Sequence, residues 1–548
     1  MAADFEFSRA YLHRRAKRLG RFFEILPGVL SWSIVLGMLA LTVLDPVLAA
    51  LVMVAFVLSW LLRMLYTNIF LILSYVRLRA EADTDWLGRI RKMVDLESYL
   101  AELRAAPRGA TFHKRLSART HRRELEALLR RPDAPPPLWR DIHHLVIFPI
   151  ARESAEIFEP GVASIAASDY PGDRVLVILA VEERAPEQAK ADAEAVRAKY
   201  GSLFLDLLVV IHPTGLPEEA RVKGANATYA ARRAAEYFQS RGVPLEHIVL
   251  SCFDADTVVS PHYFSCLSYH FMVSPHRTRA SFQPIPLYQN NLWEAPGFAR
   301  ILDVGSSFFQ LVEATNPEKL VTFSSHSMSF KALVEIGYWP VDMISDDSAI
   351  YWKAFIHFRG DYRVVPMYTT ISMDITQAEN WHRTVVNVYK QKRRWAWGVE
   401  SIPLVMGAFL LTRGIPFFTR VRQGYKLFQT HVSWTTWPYL LAIMSWLPAV
   451  FMGREAVTSV VTYSEPRMLS TMFNLAFGGY LTYVLLSQLF LPRATGRLRI
   501  LKRIGHVFEW LLIPPVSVLF GAIPALDAQT RLMLGRYMEF WVTVKKRK

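Results

Sequence analysis

Cysteine is almost absent: Cys252 and Cys266 are the only two in 548 residues. That excludes a disulfide framework and a cysteine-built metal cluster, and it suits a reducing compartment. A cleavable leader pattern is also missing. The first apolar run, residues 26–44, is too long for one, lacks a small-residue cleavage site and is followed at once by a second run, 47–62. Paired repeats of hydrophobic segments, common in transporters, are not evident. Acidic residues are the minority charge, 48 against 63 Lys and Arg, for a net charge of +15.

A basic chain invites a nucleic-acid reading, but the positions of the charges argue against it. Arg14, Arg15, Lys17, Arg18 and Arg21 precede the first apolar run, and Arg493, Arg497, Arg499, Lys502 and Arg503 follow the run at 472–491. Basic flanks of this kind mark the cytoplasmic side of a membrane and suit its anionic lipids. No nucleic-acid partner is expected.

Apolar residues make up 52% of the chain, and they cluster at its ends. Runs at 26–44, 47–62, 432–451, 472–491 and 511–526 approach the length of roughly 20 residues that a span needs. The alternative for each run is a buried core helix. Four to six spans are expected, with parity open, because 511–526 is short and holds Pro514, Pro515 and Pro524, while Lys545, Lys546, Arg547 and Lys548 favour the inside. With the N-terminus inside, the large middle segment is cytoplasmic.

The expected organisation is a basic N-terminus and transmembrane hairpin at 1–76, a helical linker at 77–140, a cytoplasmic domain at 141–400, interfacial helices at 401–430, a transmembrane region at 431–530 and a basic tail at 531–548. In the linker, two amphipathic helices between 86 and 131 flank Pro107 to Gly109, and the proline-rich 132–137 breaks helix. From residue 144 the pattern changes. Short apolar runs at 144–149, 175–181, 207–211 and 248–253 alternate with helical stretches at 157–167, 186–200 and 220–241, which predicts an α/β domain with a mainly parallel sheet. Ligands in such sheets bind at the carboxyl ends of the strands.

Three motifs carry chemistry. Asp254-Ala255-Asp256 directly follows an apolar strand, where two carboxylates suit a hard divalent cation, Mg²⁺ or Mn²⁺, and a nucleoside diphosphate; a turn or solvated edge is the plain alternative. Asp346-Asp347 precedes a helix, where one carboxylate can act as general base and either can simply cap. Gln391-Lys392-Arg393-Arg394-Trp395 ends a helix; arginine offers a fork of donors to phosphate oxygens and indole a face for a sugar. Its alternative is a cationic, aromatic patch at a membrane interface.

These motifs, preceded by Ile147 to Glu153 and Glu182-Glu183, stand in the order seen in membrane-bound family-two glycosyltransferases. The chain resembles the cellulose synthase and hyaluronan synthase group over roughly residues 144–400. The resemblance implies a nucleotide-sugar-binding domain of the glycosyltransferase A type between transmembrane helices. It implies metal-dependent, inverting transfer of a hexosyl group from a nucleoside-diphosphate donor, UDP-linked, with Mg²⁺ or Mn²⁺ as cofactor.

By the same resemblance Glu182 or Glu183 contacts the nucleotide base or ribose, where the family more often has aspartate. Lys223 and Asn226 lie beside the uridine diphosphate, Asp254 on the nucleotide and metal, and Asp256 on the metal. Asp347 is the base, and Asp346, which binds acceptor, stands where the family has glutamate. Gln391 and Arg394 face the diphosphate and Trp395 the acceptor. The segment 282–291 resembles an acceptor-side loop, with Tyr288, Gln289 and Asn290 able to hydrogen-bond a glycan. Pro403 and Gly414 permit a segment around 402–418 to close over the donor.

The expected product is a growing polysaccharide passed through the membrane, with Trp434, Trp437, Tyr439 and Trp446 able to line its path or to form an interface belt. The expected partners are the nucleotide sugar, a glycan or lipid acceptor, membrane lipids and a possible accessory export subunit. A single sugar transfer to a membrane lipid or polyprenyl phosphate is the alternative enzyme, and a non-catalytic glycan transporter or binding protein the non-enzymatic one.

Overall fold

The computed structural model describes residues 5–105, 111–131, 135–451, 460–492, 499–539 and 541. Arg493, Arg497, Pro107 to Gly109 and Lys545 to Lys548, which entered the expectations above, lie outside these described residues, as do 132–134 of the proline-rich break.

Four strands and their helices follow the alternation read from the sequence. The strands are β1 (His143–Ile150), β2 (Val175–Glu182), β3 (Asp206–His212) and β4 (Ile248–Cys252); the helices between them are Ala155–Ala166, Glu187–Tyr200 and Lys223–Ser240. β1 pairs in parallel with both β2 and β4, and β2 with β3. Strand period 2 divides the side chains between two cores. Val146, Phe148 and Ile150 pack with Ile157, Phe158 and Val162 on one face. Leu145 and Ile147 pack with Ala227, Ala230, Ala231 and Ala234 on the other. The alanine stripe lets the Lys223–Ser240 helix approach the sheet closely. Each fully buried Val, Leu, Ile or Phe contributes about 1.5–3 kcal/mol.

The second half of the sheet adds antiparallel pairings to this parallel group. β5 (Val258–Val259), β6 (Ala280–Tyr288), β7 (His326–Ser329) and β8 (Arg363–Met373) complete eight strands in the order β3-β2-β1-β4-β7-β6-β8-β5. β6 and β8 are parallel, but β7 runs antiparallel to β4 and β6, and β5 antiparallel to β8. The sheet is therefore mixed, though mostly parallel. The expected acceptor-side loop at 282–291 is mostly strand β6, with only Gln289 to Asn291 beyond it. Pro284 and Pro286 read as strand breakers because proline removes a ladder donor. The structure accommodates them with a register shift between Gln283 and Ile285.

Among the described residues of 86–131 there are three helices rather than two, Trp86–Lys92, Leu96–Ala105 and Phe112–Leu129. Among the described residues four helices are long and apolar enough to cross a membrane: Arg9–Leu44, Pro46–Ala82, Pro466–Phe490 and Ile500–Met533. The expected span at 432–451 is not one of them. Its helix, Phe417–Tyr439, carries Gln429, Thr430, His431, Ser433, Thr435 and Thr436, and after Leu440–Met444 the chain turns at Ser445 and Trp446.

Candidate active site

Strand register gathers the acidic motifs at one edge of the sheet. Cys252 pairs with Ile147 of β1 and His326 of β7, so Asp254 emerges past the end of β4 beside Ser324 and Ser325. Tyr288 of β6 pairs with Met373 of β8, which sets Asp374 at the same edge. The Lys223–Ser240 helix and the Asp346–His357 helix both point their N-termini here. A pocket opens among these ends. It is lined by Glu153, Glu182, Lys223, Asn226, Asp254, Asp256, Tyr288, Asp346, Asp347, Asp374, Gln391, Arg394 and Trp395, among others.

Lys223 is the hub of the charges. Its Nζ donates to Asp254 Oδ1 at 2.8 Å and to Asp347 Oδ1 at 2.9 Å, with Asp346 Oδ2 at 3.8 Å. Burial works to lower the lysine's pKa, but the carboxylates of Asp254, Asp347 and Asp346 outweigh it and hold the ammonium well above its usual range. Asp346 behaves differently from its neighbour. Burial, and then the charge of Asp347, push its carboxyl up to about 8, with Lys223 acting in the opposite direction. Asp347 is the one that reaches the open pocket, its side chain 31% exposed. Both stand in the first turn of a helix, where negative charge is favoured. Neither Ser345 nor any other N-cap side chain closes that helix end.

The strand-end pair is held by neighbours of which the sequence had singled out only Asn290. Asp254 N donates to Ser325 Oγ at 2.9 Å, and Ser324 Oγ donates to Asp254 Oδ2 at 2.6 Å. Ser324 sits at φ +47°, a left-handed conformation costly for serine. Asp256 is fully buried and its Oδ2 accepts from Asp374 N at 2.7 Å. Asn290 Nδ2 donates to Asp256 O and to Asp374 Oδ1. Asp374 had one usable signal, its place directly after strand β8. The two serines had none.

At the far wall the Trp381–Ala396 helix presents Gln391, Arg394 and Trp395. Trp395 lies edge-on to Phe323 with centroids 5.7 Å apart, and 6.3 Å from Tyr288. Lys392 Nζ sits 3.7 Å from the Trp395 ring centroid and bonds Asp303 Oδ1 at 2.7 Å in a buried ion pair. Arg393 turns away to Asp527.

Three expected residues fall outside the pocket: Asn290, bonded to Asp256 and Asp374 as described, Glu183 and Gln289. Glu183 is exposed and accepts the backbone N and hydroxyl of Thr214, bonds that hold its carboxyl below the usual range. β2 ends at Glu182, which lines the pocket, and Glu183 lies in the turn beyond it. Gln289 donates to the carbonyl of Phe490 and lines a separate small cavity with Ser487 and Leu491. Asn226 does line the pocket, and its Nδ2 also donates to Ala180 O at 2.7 Å.

Seven carboxylates and two cationic side chains, Lys223 and Arg394, line the pocket. Among the described residues no three His, Cys, Asp or Glu side chains form a ready metal cage. The all-oxygen donors and the acidic excess still fit a hard divalent cation held by one or two carboxylates, with phosphates completing its shell.

Residues 249–486 match the family model described as Glycosyl transferase family group 2. Over 73 residues the chain is 37% identical to poly-beta-1,6-N-acetyl-D-glucosamine synthase of Staphylococcus aureus strain COL, covering 13% of this chain. The chain thus spans 16% of the length of that curated relative. Among solved structures, a mannosyltransferase from Pyrobaculum calidifontis in complex with GDP-Man and Mn²⁺ is 13% identical over 82% of this chain and 99% of that one, with TM-score 0.39. Residues 1–349 of S. aureus TarS in complex with UDP-GlcNAc are 10% identical over 72% and 93%, with TM-score 0.35.

Proposed function

We propose that this chain, whose residues 249–486 match a family-two glycosyltransferase model, transfers sugar from a UDP-linked donor to a growing polysaccharide, with inversion and coupled passage through the membrane. One observation carries the reading. Lys223 joins Asp254 at the strand end to Asp347 at the helix start, across a pocket whose far wall is Gln391, Arg394 and Trp395.

Asp347 is the general base. It takes the proton from the acceptor hydroxyl as that oxygen bonds the anomeric carbon, while the bond from this carbon to the diphosphate breaks and the nucleoside diphosphate leaves with the electron pair. Asp346, buried and largely protonated near neutral pH, orients the acceptor without competing for the proton. Lys223 and Arg394 meet the charge growing on the diphosphate, which counts most in a site shielded from water. Asp254 and Asp256 would hold the divalent cation, whose chemistry is to neutralise that same charge. Glu182 and Asn226 lie where the nucleoside enters, and Trp395 and Tyr288 offer aromatic surface to the acceptor sugar.

The 37% identical stretch belongs to a polymer synthase, which supports a polysaccharide product and puts UDP-N-acetylglucosamine first among donors to try. The basic residues ahead of the first apolar run, 26–44, support a cytoplasmic catalytic domain.

The test is a donor screen on purified protein in lipid with Mg²⁺ or Mn²⁺, reading both released nucleoside diphosphate and product length, repeated for Asp347→Asn. A long polymer from one activated sugar, lost in the variant, supports the proposal. A mono-glycosylated lipid replaces polymer synthesis with a single transfer. Glycan binding or passage without turnover of any donor removes the enzyme.

A further inference from the structure

The turn that delivers Asp346 and Asp347 is not fixed by its own helix. Ser345 stands at the N-cap yet makes no capping bond with its side chain. Instead Ile344 N, Ser345 N and Ser345 Oγ all donate to one oxygen, Oε1 of Glu400, at 2.9, 2.9 and 2.8 Å. The other oxygen is equally engaged. Glu400 Oε2 accepts Trp397 Nε1 at 2.8 Å and Arg9 Nη2 at 3.0 Å.

Glu400 closes the short 3-10 turn Trp397–Glu400, which continues directly from the helix bearing Gln391, Arg394 and Trp395. Its side chain is 1% exposed, and Trp397 is fully buried. Arg9 comes from the start of the first long helix and lies over the Tyr537 ring, 4.0 Å from its centroid. A single buried carboxylate thus ties the base-bearing turn, the leaving-group wall and the start of the first long helix.

We propose that Glu400 is a positioning residue for transfer: it sets Asp347 in register with Arg394 and Trp395, and through Arg9 it makes that register depend on the N-terminal segment. The proposal rests on Asp347 being the base. Its two oxygens divide the work, Oε1 holding the Asp347 side and Oε2 the Arg394 side. A carboxylate is needed because all five contacts are donors; glutamine would turn an NH₂ group against two or three of them, leaving buried donors facing each other. Glu400 touches no reacting atom, so its loss displaces groups without removing any.

The experiment uses the full chain in lipid and measures kcat, donor KM, UDP binding and thermal unfolding for Glu400→Gln, Ser345→Ala, Trp397→Phe and Asp347→Asn. Displacement of a catalytic group by about 1 Å can cost on the order of 100-fold in rate. A fall of that order in kcat is expected for Glu400→Gln, with donor KM and UDP binding unchanged. Ser345→Ala and Trp397→Phe, each removing one donor while keeping the fold, should give smaller losses confined to kcat.

Wild-type kcat in Glu400→Gln overturns the proposal. So does a loss in which UDP binding and unfolding temperature fall together with rate, since a merely structural carboxylate would do that. Should Glu400→Gln fail to fold, the two milder variants decide: kcat losses at constant KM support the proposal, and wild-type kcat in both overturns it. Asp347→Asn separates the two levels. If it turns over normally, the base assignment fails; if it is inactive while the Glu400, Ser345 and Trp397 variants are normal, only the positioning role fails.

Discussion

Strands β1 to β4 and strands β5 to β8 supply the same pocket but are assembled by different means. In the first group every pairing is parallel, and a helix follows each of β1, β2 and β3. In the second, β8 returns to β6 from about 80 residues away, and β7 lies antiparallel between β4 and β6. The first half presents Glu182, Asp254 and, through its helix, Lys223 and Asn226. The second half presents Tyr288, Ser324 and Asp374, which brace what the first half offers. The residues proposed to meet the nucleotide thus sit on the parallel half, whereas groups that brace Asp254 and Asp256 come from the mixed half.

Substitutions on either side should therefore separate chemistry from binding. The largest effect is expected for Asp347→Asn, a fall in kcat of roughly 10²–10⁴, with UDP affinity by calorimetry unchanged. Next is Asn290→Ala, which removes the bonds from Asn290 to Asp256 and Asp374. An outer-shell loss of this kind weakens cation affinity by about 10–100-fold, so half-activation by Mn²⁺ should move to higher concentration by that factor.

Gly224→Ala tests the seam between the halves. A Cβ there would stand 2.7 Å from the Pro340 carbonyl oxygen and 3.3 Å from Asp346 Cβ. Backbone cannot yield as a side-chain tip would, so about 1–3 kcal/mol of stability should be lost, read by thermal unfolding, and turnover should fall with it. The smallest effect is expected for Gln289→Ala. It severs the bond to the Phe490 carbonyl, costs about 0.5–1.5 kcal/mol, and leaves donor KM untouched because the side chain does not face the pocket.

The same division explains what could be read from the amino-acid order. β1 to β4 announce themselves as apolar runs between helical stretches, and Asp254 and Asp256 follow from the end of one. β6 hid behind Pro284 and Pro286, and with it the direction of Gln289. Ser324 and Ser325 gain their role only when β7 pairs with β4 and sets them against Asp254. Glu400 carries no local motif; its importance comes from donors 55 residues upstream and from Arg9. The apolar ends showed four of the helices long enough to cross a membrane. The residues at 432–451 looked like a further span because a Trp-rich run resembles one, but the helix that opens it, Phe417–Tyr439, also carries Gln429, Thr430 and His431.

The seven carboxylates facing Lys223 and Arg394 have a thermodynamic consequence. A nucleoside diphosphate entering this pocket brings charge of the sign already in surplus, so on the proposed function its binding and that of a cation are reciprocal. Each tightens the other by the same factor. Affinity for UDP is then a surface over cation activity with no single value, and nucleotide occupancy in a cell would follow free Mg²⁺ as closely as it follows the supply of sugar donor.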